Sequence, residues 1–396
     1  MVSAPPPKLV LPLQAGLADL VAALGGGETT RLIGGAVRDS LLGLPVNDID
    51  MATRLLPDAV IACLEAAQIK AVPTGIAHGT VTAVTAGGPV EVTTLRRDIE
   101  TDGRHARVAF TDDWEADAAR RDFTINALSA NPETGAVHDY FGGIDDLAAG
   151  RVRFIGAPLA RIAEDRLRIL RFFRFHARFG KGAPDPAAYD ACAARANDLM
   201  ALSRERIAME LLKLLGTDGC ADAIGLMVAR DILKPVLPEI TTSELLARLV
   251  MREATMGISG DPVRRLAALI GPDPALAHDI AMRLRFSKEQ TRRLAAACGR
   301  TASSTALAAM AYRLGAIGAI DRLLLGDGNA DDIAVLRSWE KPVFPIGGGA
   351  LVARGLDQGP VVARTLSAIE SAWIDSGFPD GDVFEALVTR AIQEAS

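Results

Sequence analysis

The chain has 396 residues, 49% of them hydrophobic and 23% charged, which excludes a disordered polypeptide and exceeds what a single hydrophobic core usually serves. Aromatic residues make up only 5% while Ala, Leu and Arg are abundant, so helix is expected over sheet for most of the length. A formal net charge of −6 excludes a surface that grips nucleic acid along its whole extent, and any such contact must be local.

The N-terminal segment MVSAPPPKLVLPLQ lacks a basic start followed by a long apolar run, and no uncharged stretch reaches membrane-spanning length. A cytoplasmic protein without membrane contact is expected. Cys63, Cys192, Cys220 and Cys298 are far apart with no CxxC spacing, which predicts buried thiols, not a zinc site or a disulfide framework. From about residue 31 to 155 the β-rich runs RLIGG, HGTVTAVT and PVEVTTL are separated by helical stretches such as PDAVIACLEAAQ. From Ala157 onward strand signals nearly vanish. Helical periodicity recurs in PLARIAEDRLRILRFFRFHARFG, SRERIAMELLKLLG, SELLARLVMRE, KEQTRRLAAACG and VVARTLSAIESAWID. Gly and Pro end helices at KGAPDP, GISGDP and FPIGGG. The fold class is therefore α+β, a mixed head followed by an all-α extension.

Within the head, a strand running into Gly34 and Gly35 and opening directly into AVRDSLLG presents bare backbone N–H groups at a helix start, which suits a phosphate. In the following DID, period-two geometry sets Asp48 and Asp50 on one face of a strand and Ile49 and Met51 on the other. Two carboxylates that close need a reason, and a divalent cation such as Mg²⁺ supplies one, because hard oxygen ligands suit it. Glu91 in VEVTT faces away from Val90 and Val92. If its strand lies beside DID, it becomes a third carboxylate, either completing the metal site or acting as a base, against the plain alternative of an exposed strand Glu.

The segments GGAVRDSLLGLPVNDIDMAT, RRDFTINALS, DYFGGIDDL, EDRLRILRFFRF and LSRERIAMELLKLL, in that order, resemble the bacterial-type (class II) tRNA nucleotidyltransferases, the CCA-adding enzymes, and their poly(A) polymerase relatives. The resemblance spans nearly the whole chain. It implies a polymerase-β-like catalytic head, here 1–156, a nucleotide-reading helical neck, 157–216, and a tRNA-binding helical body and tail, 217–396. It further implies that Gly35 and Arg38 contact the incoming nucleotide, that Asp48 and Asp50 bind Mg²⁺, and that Arg121 and Asp122 meet the ribose and phosphates. An Arg and Asp pair offers donors to phosphate and an acceptor for a 2′-OH. Asn126, one helical turn after Asp122, either reinforces that contact or stabilises its helix. His78 in TGIAHGTV and Asp139 in DYFGGIDDL are read as structural joints.

An enzyme that adds defined nucleotides without a nucleic-acid template must read bases with side chains. A carboxylate accepts from the exocyclic amine of cytosine and adenine, while a guanidinium donates to a ring nitrogen or carbonyl. On one continuous helix Glu164, Asp165 and Arg168 share a face, Asp165 and Arg168 lying about 60° apart. Arg171 and Arg174 match nucleotide-contacting positions of the family, although Arg174 would lie about 180° from Asp165 on that helix. Seven basic residues between Arg161 and Lys181 face only Glu164 and Asp165, a local excess suited to phosphates. Ser203, Glu205 and Arg206 in LSRERI are expected to form a helix-start network with Ser203 as N-cap. The HD dipeptide His278–Asp279 lacks partner ligands and is discounted as a phosphohydrolase site.

The resulting expectation is addition or repair of the tRNA 3′-terminal CCA from CTP and ATP. A poly(A) polymerase, an A-only or CC-only relative, and a catalytically silent RNA-binding protein stand as alternatives. The segment DIETDGRHARVAFTDD is expected to be a flexible loop of the CCA-adding form.

Overall fold

The computed structural model describes residues 9, 14–46, 48–102, 105–299 and 306–395, with backbone alone for 98–102 and 105–108. The chain divides into two compact units, residues 1–238 and 239–396.

In the first unit the strands are β1 (Thr30–Ile33), β2 (Asp50–Thr53), β3 (Lys70–Gly75), β4 (Thr80–Thr85), β5 (Gly88–Thr94), β6 (Arg96–Asp102), β7 (His105–Phe110), β8 (Ser129–Ala130) and β9 (Val137–His138). Seven of them form one sheet in the order β3-β4-β5-β2-β1-β8-β9. Within it β2 and β5 run parallel and the other neighbours antiparallel. Helices α1 (Leu17–Ala23), α2 (Gly35–Leu41), α3 (Pro57–Ala66), α4 (Trp114–Ala119) and α5 (Gly143–Ala149) complete the head. Alternation decides which face is which: Met51, Val81, Ala83, Val90 and Val92 are buried with Leu20, Val21, Val60 and Leu64 of α1 and α3. The opposite face of β2 and β5 is left for Asp50 and Glu91. The segment expected as a loop instead pairs β6 with β7 as a separate antiparallel ribbon; Gly103 and Arg104 lie outside the described residues.

Next come α6 (Pro158–Glu164), α7 (Arg168–Phe179), α8 (Pro186–Ala194), α9 (Arg204–Leu215) and α10 (Cys220–Ala229). The breaks expected at KGAPDP and GISGDP fall between helices, with Pro186 and Pro262 opening the next ones, whereas Gly348 and Gly349 of FPIGGG already belong to a helix. Ile169, Leu170, Phe172 and Phe173 of α7 are buried as the apolar pattern requires. Phe123, from the head, inserts between Phe154 at 4.8 Å and Phe175 at 5.3 Å between ring centroids. Burying aromatic rings at such distances ties α7 to the head.

The second unit is helical: α11 (Glu244–Thr255), α12 (Pro262–Ile270), α13 (Pro274–Arg283), α14 (Lys288–Ala297), α15 (Leu307–Leu325), α16 (Ala330–Arg337), α17 (Gly348–Ala353), α18 (Pro360–Asp375) and α19 (Gly381–Ala395). Asp261, Asp273 and Ser287 cap the starts of α12, α13 and α14, the last as a full capping box with Gln290. No helix among the described residues is long and apolar enough to cross a membrane. Cys192, Cys220 and Cys298 are buried free thiols, Cys63 is half-buried, and burial pushes the Cys298 thiol up to about 12. His278 and Asp279 are exposed on α13.

Candidate active site

Gly34 alone turns the chain from β1 into α2. Its backbone angles, φ 60° and ψ −120°, suit only glycine, and a Cβ there would stand 3.2 Å from Arg121 Nη1. The guanidinium of Arg121 therefore lies close against the strand-to-helix turn. Asp117, in the first turn of α4, aims it by accepting from Arg121 Nη2 at 3.3 Å and from Arg120 Nε at 2.8 Å. Burial would raise the Asp117 carboxyl, but Arg121 and Arg120 together hold it below the usual range.

Asp48 lies just ahead of β2 and Asp50 opens it. Both are exposed while Ile49 and Met51 are buried, so the alternation expected of DID is present although only Asp50 belongs to the strand. The parallel register places Glu91 of β5 beside Asp50. Close protein on its inner side raises the Asp50 carboxyl above the ordinary carboxylate range even though its edge is open to solvent. The Glu91 charge adds to the rise, Arg121 opposes it, and Asp48 raises it further. Among the described residues no three His, Cys, Asp or Glu side chains close into a ready-made cage. Like charges resist that closure. An all-oxygen donor set with surplus negative charge nevertheless fits a hard divalent cation.

Behind this edge runs a chain of polar contacts. Arg38, buried, donates to Asn126 Oδ1 at 2.5 Å and pairs with Asp39 at 2.7 Å; its guanidinium lies 4.3 Å from the Phe179 ring centroid. Burial lowers the Arg38 guanidinium below its ordinary value, with Asp39 opposing. Asn126 sits in a 3-10 turn, Thr124–Asn126, not an α-helix, and its amide donates to Asp122 Oδ1 at 2.9 Å. Asp122 is 8% exposed, and its carboxylate also accepts from Phe123 N at 2.9 Å and from Arg171 Nη2 at 2.6 Å. Burial would raise it, yet Arg171, Asn126 and Phe123 N–H hold it below the usual range. Asp122, expected to meet a ribose, is here bonded to Phe123 N, Asn126 and Arg171. Arg171 and Arg174 both reach Glu210 of α9, at 3.5 and 2.7 Å, and their guanidinia lie 5.3 and 4.2 Å from the Phe175 ring centroid.

The segment expected to read the nucleotide is not one helix. α6 ends at Glu164, Asp165 is extended at φ −146° and ψ 107°, and α7 begins at Arg168. Face-sharing by helical angle therefore does not apply to Asp165, and the reason is local: its carboxylate accepts from Leu167 N at 3.1 Å and its carbonyl from Arg168 N at 3.0 Å. Asp bonding its own following backbone favours such corners over continued helix. Arg168 does pair with Glu164, at 2.5 Å, and also donates to Arg161 O and Arg120 O. Arg171 and Arg174, three apart on α7, share a face whatever their angle to Asp165. The basic excess between Arg161 and Lys181 is largely met by Glu164, Asp122, Glu210 and Asp39.

Several residues escaped sequence reading. Glu210 is 2% exposed and follows Ile207 by three residues on a buried face, so an acid at a core position was the available signal. Asp117 stands three and four residues before Arg120 and Arg121, the spacing of helical ion pairs. Asp146, fully buried, accepts from Arg151, Arg153 and the Thr124 hydroxyl and so holds the 3-10 turn. His78 contributes its carbonyl to Arg96, and Asp139 accepts from the N–H groups of Phe141, Gly143 and Ile144 at the start of α5. Asp139, expected as a joint between head and neck, thus caps a helix within the head, and His78 acts here through its backbone and not its ring. Ser203 caps α9 by accepting from Arg206 N at 3.4 Å.

Fold and site together define a nucleotidyltransferase. Residues 30–153 match the family model described as "Poly A polymerase head domain", and residues 183–243 that described as "Probable RNA and SrmB- binding site of polymerase A". The chain is 34% identical over 365 residues to the human mitochondrial CCA tRNA nucleotidyltransferase 1, covering 88% of this chain and 83% of that one. It is 37% identical over 241 residues to the CCA-adding enzyme of Geobacillus stearothermophilus, covering 60% of this chain and 58% of that one. The solved Bacillus stearothermophilus CCA-adding enzyme in complex with CTP aligns with a TM-score of 0.76 at 26% identity, over 95% of this chain and 96% of that one. The Thermotoga maritima CCA-adding enzyme complexed with tRNA shares the fold, with a TM-score of 0.61 at 19% identity over 95% of each chain. The chain belongs to the family of CCA-adding tRNA nucleotidyltransferases.

Proposed function

We propose that this protein adds or repairs the 3′-terminal CCA of tRNA from CTP and ATP, without a nucleic-acid template. The observation that carries this reading is the Asp48, Asp50 and Glu91 edge, partnered by Arg121 and backed through Asp122 by the arginines of α7. The 3′-hydroxyl of the RNA attacks the α-phosphorus of the nucleotide, a new P–O bond forms, and pyrophosphate leaves. In this reading Glu91, in register with Asp50, accepts the hydroxyl proton. Arg121 offsets negative charge that develops on the phosphates, with Gly34, Gly35 and Arg38 forming the rest of that wall. Mg²⁺, held by Asp48 and Asp50 when bound, supplies Lewis-acid charge to hydroxyl and triphosphate.

On this reading Asp165, at the corner before α7, and Arg168, at its start, read the base, and Arg171 and Arg174 of α7 support them. Asp122 acts through Arg171. Residues 1–156 carry the chemistry, 157–216 select the nucleotide, and 217–396 hold the tRNA acceptor arm through shape and phosphates. The test is to incubate purified protein and Mg²⁺ with tRNA lacking CCA and with each NTP. Two C residues followed by one A, with neither U nor G incorporated, are expected; long A tails or no C addition would overturn the reading.

A further inference from the structure

α9 packs against α7 and bonds both signs of charge in the reading region. Glu210 holds Arg171 and Arg174, as described. Four residues earlier, so on the same side of α9, Arg206 holds Asp165. Its Nη2 donates to Asp165 Oδ1 at 3.1 Å and to Oδ2 at 2.9 Å. Ser203 fixes the base of this arm by capping α9 at the Arg206 N–H.

A carboxylate has about four lone-pair sites. Leu167 N and Arg206 use two on Oδ1, and Arg206 uses one on Oδ2, which leaves a single site, on Oδ2. The Asp165 side chain is 34% exposed, so that site is reachable. Without Arg206 only Leu167 N would hold the carboxylate, by Oδ1, and nothing would fix the direction of Oδ2. Selecting an exocyclic amine, as on cytosine or adenine, against a carbonyl, as on uracil or guanine, needs an acceptor that stays in one place.

We propose that Arg206 is a positioning residue for base selection, locking the Asp165 carboxylate so that one oxygen site meets the amine of CTP or ATP. The inference rests on the reading above that Asp165 accepts from the base. It places part of the specificity on α9, a helix that need not touch the nucleotide. Since one nitrogen makes both contacts, a point charge suffices, and lysine can replace the guanidinium.

The experiment measures single-nucleotide incorporation into tRNA lacking CCA by R206A, R206K and D165A, with CTP, ATP, UTP and GTP offered separately. For R206A, KM for CTP and ATP should rise about tenfold with a smaller fall in kcat, and preference over UTP and GTP should drop about tenfold. R206K should recover most of both. Thermal melting and tRNA binding check folding, and R206Q carries the same test if R206A does not fold. R206A that discriminates like wild type while D165A does not would overturn the role of Arg206. So would a fall in kcat alone that lysine fails to rescue. If D165A itself retains full discrimination, the reading of Asp165 fails first and the inference falls with it.

Discussion

Two groups of charged side chains in this chain are built on opposite terms. In the second unit Glu253, Arg264, Arg265 and Asp321 are all nearly inaccessible, at 1%, 3%, 2% and 0% exposure. Every charge there is matched: Glu253 takes Arg264 at 2.6 Å and Arg265 at 2.8 Å, and Asp321 takes Arg264 at 3.1 Å and Arg293 at 2.8 Å. Arg293 also reaches Asp261, whose carboxylate caps α12. In the head, Asp48, Asp50 and Glu91 share one open edge where Arg121 is the cation that bears on Asp50. Burial demands that charge be paired, so a matched network is what a structural role requires. Surplus like charge on an accessible edge lowers stability and is kept where a ligand will balance it.

That contrast breaks most visibly at Asp50. D50N should lower nucleotide incorporation at least about a thousandfold while tRNA binding persists. Because the folded protein raises the Asp50 carboxyl, the fold favours its neutral form. Its stabilising contribution is present at low pH and lost as pH rises through the raised value, so at neutral pH and without divalent metal D50N should melt higher than wild type. A lower melting temperature would contradict the account of like-charge repulsion.

In the matched network the same kind of change should do the reverse. D321A takes one partner from Arg264, which keeps Glu253, and one from Arg293, which keeps Asp261, and should cost about 3 kcal/mol in the second unit, read from urea unfolding. A loss below about 1 kcal/mol would show that the network contributes little.

Asp122 lies between these cases, buried and paired yet bonded to Arg171 of α7. D122N should cost about 2 kcal/mol at neutral pH, since Arg171 keeps Glu210 as a partner. Here the folded carboxyl is lowered, so its contribution is present above about pH 4 and lost as pH falls through the lowered value. The stability gap between wild type and D122N should therefore close in acid. A gap independent of pH would place the effect in shape and not in charge.

The amino-acid sequence alone determined what depends on neighbours within a few residues. Alternation put Asp48 and Asp50 opposite Ile49 and Met51, Glu91 opposite Val90 and Val92, and Ser203 at the start of α9. Periodicity separated a mixed head from a helical remainder, and the order of five motifs carried the family. Only the tertiary structure decided what depends on long-range partners. It broke the expected reading helix at Asp165, turned Asp122 inward to Arg171, and brought Arg206 and Glu210 from about forty residues away onto the reading segment. Helical and strand periods specify which residues share a face; they do not specify which charge from a distant segment will meet it. Whether an arginine is free for a nucleotide or held by a carboxylate is settled by chain folding, because burial forces each charge to find a partner wherever the fold supplies one.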